Sequence, residues 1–308
     1  MKKIILIYLF FGSIGIVLGQ QLPQYSQWYW NQYALNPAHA GIRDCFEMKT
    51  QYRFQYTGIE GMPHHGNFSL TMPINKNRKI FLSPRHGLGI KLETEKIGVF
   101  LTNRLNLSYA AHLNFNQYNR LSVGIDAGVK QLAVDVGRIT TEEFDPTVHQ
   151  YVSNWMPDAN IGFWWNSKNY YVGLVFKELL HSKWKNIGLE SQYHLHTFIN
   201  GGYRFAGKNG FSFFPSMLLK LPVKGKMSAD LVLLFDHNNQ FSYALGYRAN
   251  EAVMFSLNFK IKEMVAIGYS FDYNFKPLGG FPNSSHELTL AFSGCRSYKK
   301  TRTGCDLF

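Results

Sequence analysis

The chain has 308 residues, of which 45% are hydrophobic, 16% aromatic and 17% charged, with a formal charge of +12. This balance excludes a disordered chain and allows one large domain or two small ones. Beyond its first residues there is no run of ~18 apolar residues, which excludes a helical membrane protein, so 25 Phe, 18 Tyr and 6 Trp must be spread over short elements.

Residues 1–19 read as a signal peptide, with Lys2 and Lys3 before the apolar stretch 4–18 and small Gly19 before Gln20. That stretch is shorter than the ~20 residues a spanning helix needs, and no Cys follows Gly19 as a lipoprotein would require. Residues 20–44 hold Tyr25, Trp28, Tyr29, Trp30 and Tyr33 without sustained alternation, separated by Gln24, Gln27, Asn31 and Asn36. Each ring buries ~150 to 250 Å² when packed, so the segment is expected to dock, as a plug in a barrel mouth or on a periplasmic partner. A plug that also holds an exported partner and a plug that only packs on itself are both open readings.

Period-two alternation begins after this segment. Strands are expected over 45–56, 66–73, 87–95, 105–115, 121–129, 158–165, 170–176, 193–205, 211–221, 227–235, 241–247, 253–261, 265–275 and 288–292, about fourteen in all. In the clearest, Val265, Ile267, Tyr269, Phe271, Tyr273 and Phe275 share one face, and Ala266, Gly268, Ser270, Asp272 and Asn274 the other. Only a short helix near 140–149 competes with this all-β reading. A soluble sandwich also alternates, but its strands run ~5 to 6 residues and its polar face is rich in charge. Here the polar face is mostly Gly, Ser, Ala and Asn, and many strands approach the ~10 residues of a tilted transmembrane strand.

Tight turns at 117–120, 166–169, 206–209 and 236–240 largely alternate with long links at 57–65, 134–155, 177–191 and 276–284, with 73–85 as a long turn on the short-turn side. The expectation is a transmembrane antiparallel β-barrel over 45–294 in the outer membrane, with both termini in the periplasm, the links 57–65 and 134–155 outside, and a basic tail at 295–308.

Chemical motifs are sparse. No G-x-S-x-G elbow or phosphate loop occurs, and His286-Glu287 has Leu290 where a zinc protease helix would carry its second His. His194 and His196 share a strand face but lack a third ligand, so they read as lumen-facing polar residues. No catalytic residue, cofactor or metal site is expected. Cys45, Cys295 and Cys305 allow three single pairings, including a 295–305 staple of the tail, or three free thiols. For an exported barrel the basic excess, reduced by two when Lys2 and Lys3 leave, points to anionic lipid head groups or acidic partners, or to scattered solvated lysines, and not to nucleic acid.

The segment Gln24-Tyr25-Ser26-Gln27, then Asn31 and Asn36-Pro37-Ala38-His39-Ala40-Gly41, resembles the start of mature PorP/SprF-type proteins. Tyr52-Arg53, Gly58-Ile59-Glu60-Gly61-Met62-Pro63 and Phe68-Ser69 match the next block, and Met156-Pro157-Asp158, Gly246-Tyr247-Arg248, Ile267 to Tyr273 and Ser285-His286-Glu287-Leu288 carry the likeness nearly to the end. His39 departs from it, an aromatic being usual there. The resemblance implies a non-enzymatic component of type IX secretion and gliding machinery that supports export or surface anchoring of adhesin-like proteins. Its partners would be outer-membrane lipid, a secreted adhesin or its C-terminal domain, and periplasmic type IX secretion components. A passive porin or small-molecule transporter would share every barrel feature. Candidate partner-binding residues are Tyr25, Gln27, Asn31, Asn36, Pro37, Arg53, Glu60 and Gly61, with Gly58, Gly61 and Pro63 read first as turn formers and Asn36-Pro37 as a turn before the first strand.

Overall fold

Alternating residues become paired strands because each backbone N–H and C=O must find a partner where water is absent, and a closed sheet leaves no edge. A computed structural model describes residues 22–43, 45–74, 83–116, 118–134, 152–183, 192–261, 264–275 and 284–294. The strands, in chain order, are β1 (Glu47–Phe54), β2 (His64–Pro73), β3 (Arg85–Ile97), β4 (Phe100–Asn114), β5 (Arg120–Val134), β6 (Val152–Asn166), β7 (Tyr170–Lys177), β8 (His196–Tyr203), β9 (Phe205–Ala206), β10 (Phe211–Pro222), β11 (Ser228–His237), β12 (Phe241–Arg248), β13 (Ala252–Ile261), β14 (Val265–Asn274) and β15 (Ser284–Ser293). β9 continues β8 past Arg204, since both pair with β10 in one register, Gly202 with Ser216 and Phe205 with Phe213. The staves therefore number fourteen, each antiparallel to its sequence neighbour, and β15 pairs with β1 to close the barrel. The short helix considered for 140–149 lies outside the described residues.

Turn chemistry sets the register. Asn209, Asn238, Asn239 and Asn250 all take positive φ, which Asn tolerates better than most side chains. Gly98, at φ 57, makes the two-residue turn between Ile97 and Phe100, so β3 and β4 run on past the expected strand ends at 95 and 105. The extra length escaped the alternation because both faces there are polar. Lys91, Glu95, Thr102 and Arg104 are buried inside, while outside Thr94 Oγ1 donates to Asn103 (2.9 Å), Asn103 to Gln131 (3.3 Å) and Gln131 to Ser153 (3.0 Å). This outward polar ladder marks the upper limit of the apolar band on the tall side of the barrel. Below it the outer surface carries Leu105, Leu107, Ile125, Val129, Leu231, Leu245, Phe255 and Leu288 exposed, a surface made for acyl chains. β6 also starts earlier than expected and contains Pro157. Its ladder with β7 begins only at Ile161, so a residue without an N–H costs no bond there.

The long links after Phe54, Lys177 and Asn274 leave from one rim, the long-link rim, which also carries the short turns 98–99, 223–227 and 249–251; the turns after Asn114, Asn166, Ala206 and His237 lie at the other, the short-turn rim. Cys45 is disulfide-bonded, which removes the reading of three free thiols. The tail cysteines lie outside the described residues.

Candidate functional site: the plugged lumen

Residues 22–43 thread the lumen from the long-link rim to the short-turn rim before turning into β1, so Leu22 stands at the rim opposite the start of β1 and the end of β15, against the expectation that both termini share one side. The segment holds one helical turn, α1 (Gln32–Leu35), and a 3-10 turn at Pro37–His39. Asn31 caps the first and Asn36 the second, each through its side-chain oxygen, so Asn36-Pro37 is a turn as expected. Such short elements leave many backbone groups without internal partners, and burial makes each one costly. The wall supplies the partners. Lys49 donates to the carbonyl of Trp30 (2.8 Å), Lys177 to that of Ala34 (3.4 Å) and Arg120 to that of Ile42 (3.1 Å), while His112 lies 2.9 Å from that of Ala40. Glu287 accepts from the N–H groups of Ser26 (2.6 Å) and Gln27 (3.0 Å).

Glu287 belongs to a buried network of alternating sign along the wall. Lys220 meets Asp230 at 2.8 Å, Arg248 meets Asp230 at 3.0 Å and Asp272 at 3.8 Å, and Arg53 meets Asp272 at 2.7 Å and Glu287 at 3.6 Å. Arg53, Asp230, Arg248, Asp272 and Glu287 have no solvent exposure. Charges so deep persist only when paired and hydrogen-bonded. The Ser26 hydroxyl closes the arrangement by bonding both Arg53 and Asp272.

On β7 and β8, and on β10 to β13 just below these charges toward the short-turn rim, the wall is apolar, and the expectation of a polar lumen fails there. Tyr171, Val175, Phe198, Phe214, Leu218, Val232, Ala244 and Met254 form one cluster with Trp28, Tyr29, Leu35 and Ala38 of the plug. His39, the departure from the usual aromatic, still serves as a ring, edge-on to Trp164 at 4.2 Å.

The wall approaches so closely that only glycine fits at several points. A Cβ on Gly124 would lie 2.4 Å from the backbone of Pro37 and Ala38, and one on Gly87 would lie 2.0 Å from the Ala40 carbonyl. Gly124→Val is therefore expected to unseat the plug at a cost of about 1–3 kcal/mol, because neither backbone can yield without losing its bonds. Raised protease sensitivity of residues 22–43 in detergent, with the barrel intact, would show it. An unchanged digestion pattern would mean that the plug accommodates the side chain.

The sequence-derived candidates separate into two groups. Asn31 donates to Gln51 Oε1 (2.8 Å), Asn36 to the Phe163 carbonyl (3.0 Å), and Pro37 lies against Gly124 and Gly162. Gln27, with its amide turned to satisfy both ends, donates to Thr289 Oγ1 (3.1 Å) and accepts from the Ser270 N–H (3.1 Å). Tyr25 sits half-buried, edge-on to His65 at 6.4 Å, and Arg53 is the centre of the charge network. All of these join plug to wall. Glu60 and Gly61 stand apart, exposed on the 55–63 link, where Gly58 (φ 102) and Gly61 (φ 77) shape the turn.

Sequence reasoning missed Ser26, Asp230, Arg248, Asp272 and Glu287 as members of a site. The signal lay in the motif blocks themselves: Arg53, Arg248, Asp272 and Glu287 fall on separate strands and join in one network, which Ser26 and Gln27 of the first block complete. Among the described residues no group of three potential metal ligands occurs, so His194 and His196 gain no third ligand there.

The fold has solved counterparts. The chain is similar to the toluene transporter TbuX of Ralstonia pickettii, with a TM-score of 0.50 and 10% identity over 84% of this chain and 91% of that one. It is also similar to the P. putida toluene transporter TodX (TM-score 0.47, 9% identity, 84% and 92% covered) and to a Pseudomonas aeruginosa FadL homologue (0.44, 11%, 89% and 94%). The first of these shows a shared barrel fold and no more. No curated protein matches the chain. The family model for the type IX secretion system membrane protein PorP/SprF matches residues 17–292. With the closed barrel, its apolar outer band and the motif blocks gathered around the plug, this match makes the chain an outer-membrane member of the PorP/SprF family of type IX secretion system membrane proteins.

Proposed function

We propose that this barrel is a non-enzymatic support for the export or surface anchoring of adhesin-like proteins, working through what its rims present and not through what its lumen conducts. One observation carries the reading: the lumen is filled from rim to rim by the chain's own residues 22–43, tied to the wall by buried charge. The long-link rim faces outward by the usual asymmetry of such barrels, which places Glu60 and Gly61 where a secreted adhesin or its C-terminal domain can be met. The short-turn rim then faces the periplasmic components of the secretion machinery. In the plugged state Tyr25, Gln27, Asn31, Asn36, Pro37 and Arg53 act on a partner only indirectly, by fixing the plug.

The test combines topology with display. A tag inserted at Glu60 is expected to be labelled on intact cells, and deletion of the gene is expected to abolish surface display of an adhesin-like protein while the purified barrel shows no steady conductance in planar bilayers. Normal display in the deletion strain together with steady conductance would replace this reading with that of a passive porin. Labelling only after the membrane is opened would reverse the assignment of the rims.

A further inference from the structure

Beside Leu22, Pro23 and Gln24 the plug leaves a cavity of about 270 Å³ at the long-link rim. Three chemical demands meet in it. The first is positive charge: Lys224 and Lys226, on the turn between β10 and β11, line the cavity and pair with no acidic side chain among the described residues. The carboxylate in the lining, Glu251, is already turned to Arg248 at 3.6 Å, and Lys220 is held by Asp230. The second is an acceptor without a donor, since Gln24 is 6% exposed and its Oε1 receives no hydrogen bond. The third is apolar surface, from Leu22, Phe198 and Met227, the last of them 64% exposed.

A ligand that answers all three carries a negative group, an N–H within reach of it, and an apolar side chain. Resting on the reading of this barrel as a support for exported proteins, we propose that the cavity captures the carboxyl end of a polypeptide. The terminal carboxylate sits between Lys224 and Lys226, the last peptide N–H donates to Gln24 Oε1, and the terminal side chain packs on Phe198 and Met227. Charge-assisted bonds to a carboxylate are about twice as strong as neutral ones, so the terminus outweighs an internal segment of the same chain. Because the plug supplies Gln24 and Leu22, the cavity exists only while the plug is seated.

The experiment uses the full chain in detergent and a fluorescein-labelled Gly-Gly-Ser-Gly-Leu peptide with a free carboxyl end, against the same peptide amidated. The free acid is expected to bind at least about tenfold more tightly than the amide, and K224E/K226E is expected to remove that preference. Q24L should weaken acid and amide alike, since it removes the acceptor and not the charge. Both lysines lie on an exposed turn, and unchanged heat resistance in detergent verifies that the double variant is folded. Equal binding of acid and amide, a preference that survives K224E/K226E, or inorganic phosphate competing as well as the peptide acid would each overturn the proposal. The function itself is judged separately by display in the deletion strain. Display lost on deletion but normal in K224E/K226E would sink the cavity and leave the support role standing.

Discussion

Arg53→Met is expected to cost about 3–5 kcal/mol of barrel stability, the usual penalty for removing one partner of a buried ion pair. The substitution keeps volume but leaves Asp272 and Glu287, both without solvent exposure, facing each other through a site that has lost its central cation. It also removes the donor that fixes the Ser26 hydroxyl, and with it one anchor of the plug. Arg53→Lys should recover only part of the loss, because a single ammonium cannot reach Asp272, Glu287 and Ser26 together as a guanidinium does. The measurement is the temperature at which the barrel loses its compact form on electrophoresis in detergent. The double variant R53M/E287Q should regain part of the lost stability, since it removes one of the stranded charges. Unchanged heat resistance in R53M would show that the network is not what seats the plug.

Ile267→Arg should cost about 1–3 kcal/mol, between the interface and midplane values, because its side chain leaves the third residue of β14 toward the acyl chains, flanked by Phe259 and Leu290 on the neighbouring strands. From the sequence, Ser270→Arg looks like a mild lumen-side control if space allows. The structure denies that space. Ser270 has no exposure, its hydroxyl lies 3.3 Å from Asp272, and its N–H faces Gln27, so arginine there collides with the plug. The control belongs at the exposed rim, where Thr57→Arg is expected to stay within about 0.5 kcal/mol. Chemical unfolding in matched lipid measures all three. Equal tolerance of Ile267→Arg and Thr57→Arg would remove the lipid-facing assignment of this strand.

The sequence by itself determined the barrel, because strand periodicity is a local property and lipid on one side enforces it. β4, β5, β13, β14 and β15 stood out since one face is apolar and the other carries Gly, Ser, Asn or Ala. β7, β10 and β11 were harder to see because both of their faces are apolar, one toward lipid and the other toward Trp28, Tyr29 and Leu35 of the plug. The turns at Asn209, Asn238 and Asn239 were legible for the same local reason: their conformation is chosen by the residue that adopts it. The aromatic content of residues 22–43 showed that the segment must dock, since rings in water are costly wherever they lie in the chain. Where it docks, and on what, only the tertiary structure decided. Glu287 and Ser26 stand 261 positions apart, and Arg53 and Asp272 stand 219 apart. No local pattern relates charges at such separations; barrel closure brings β15 beside β1 and β14 beside β15, and burial then makes each charge depend on the others.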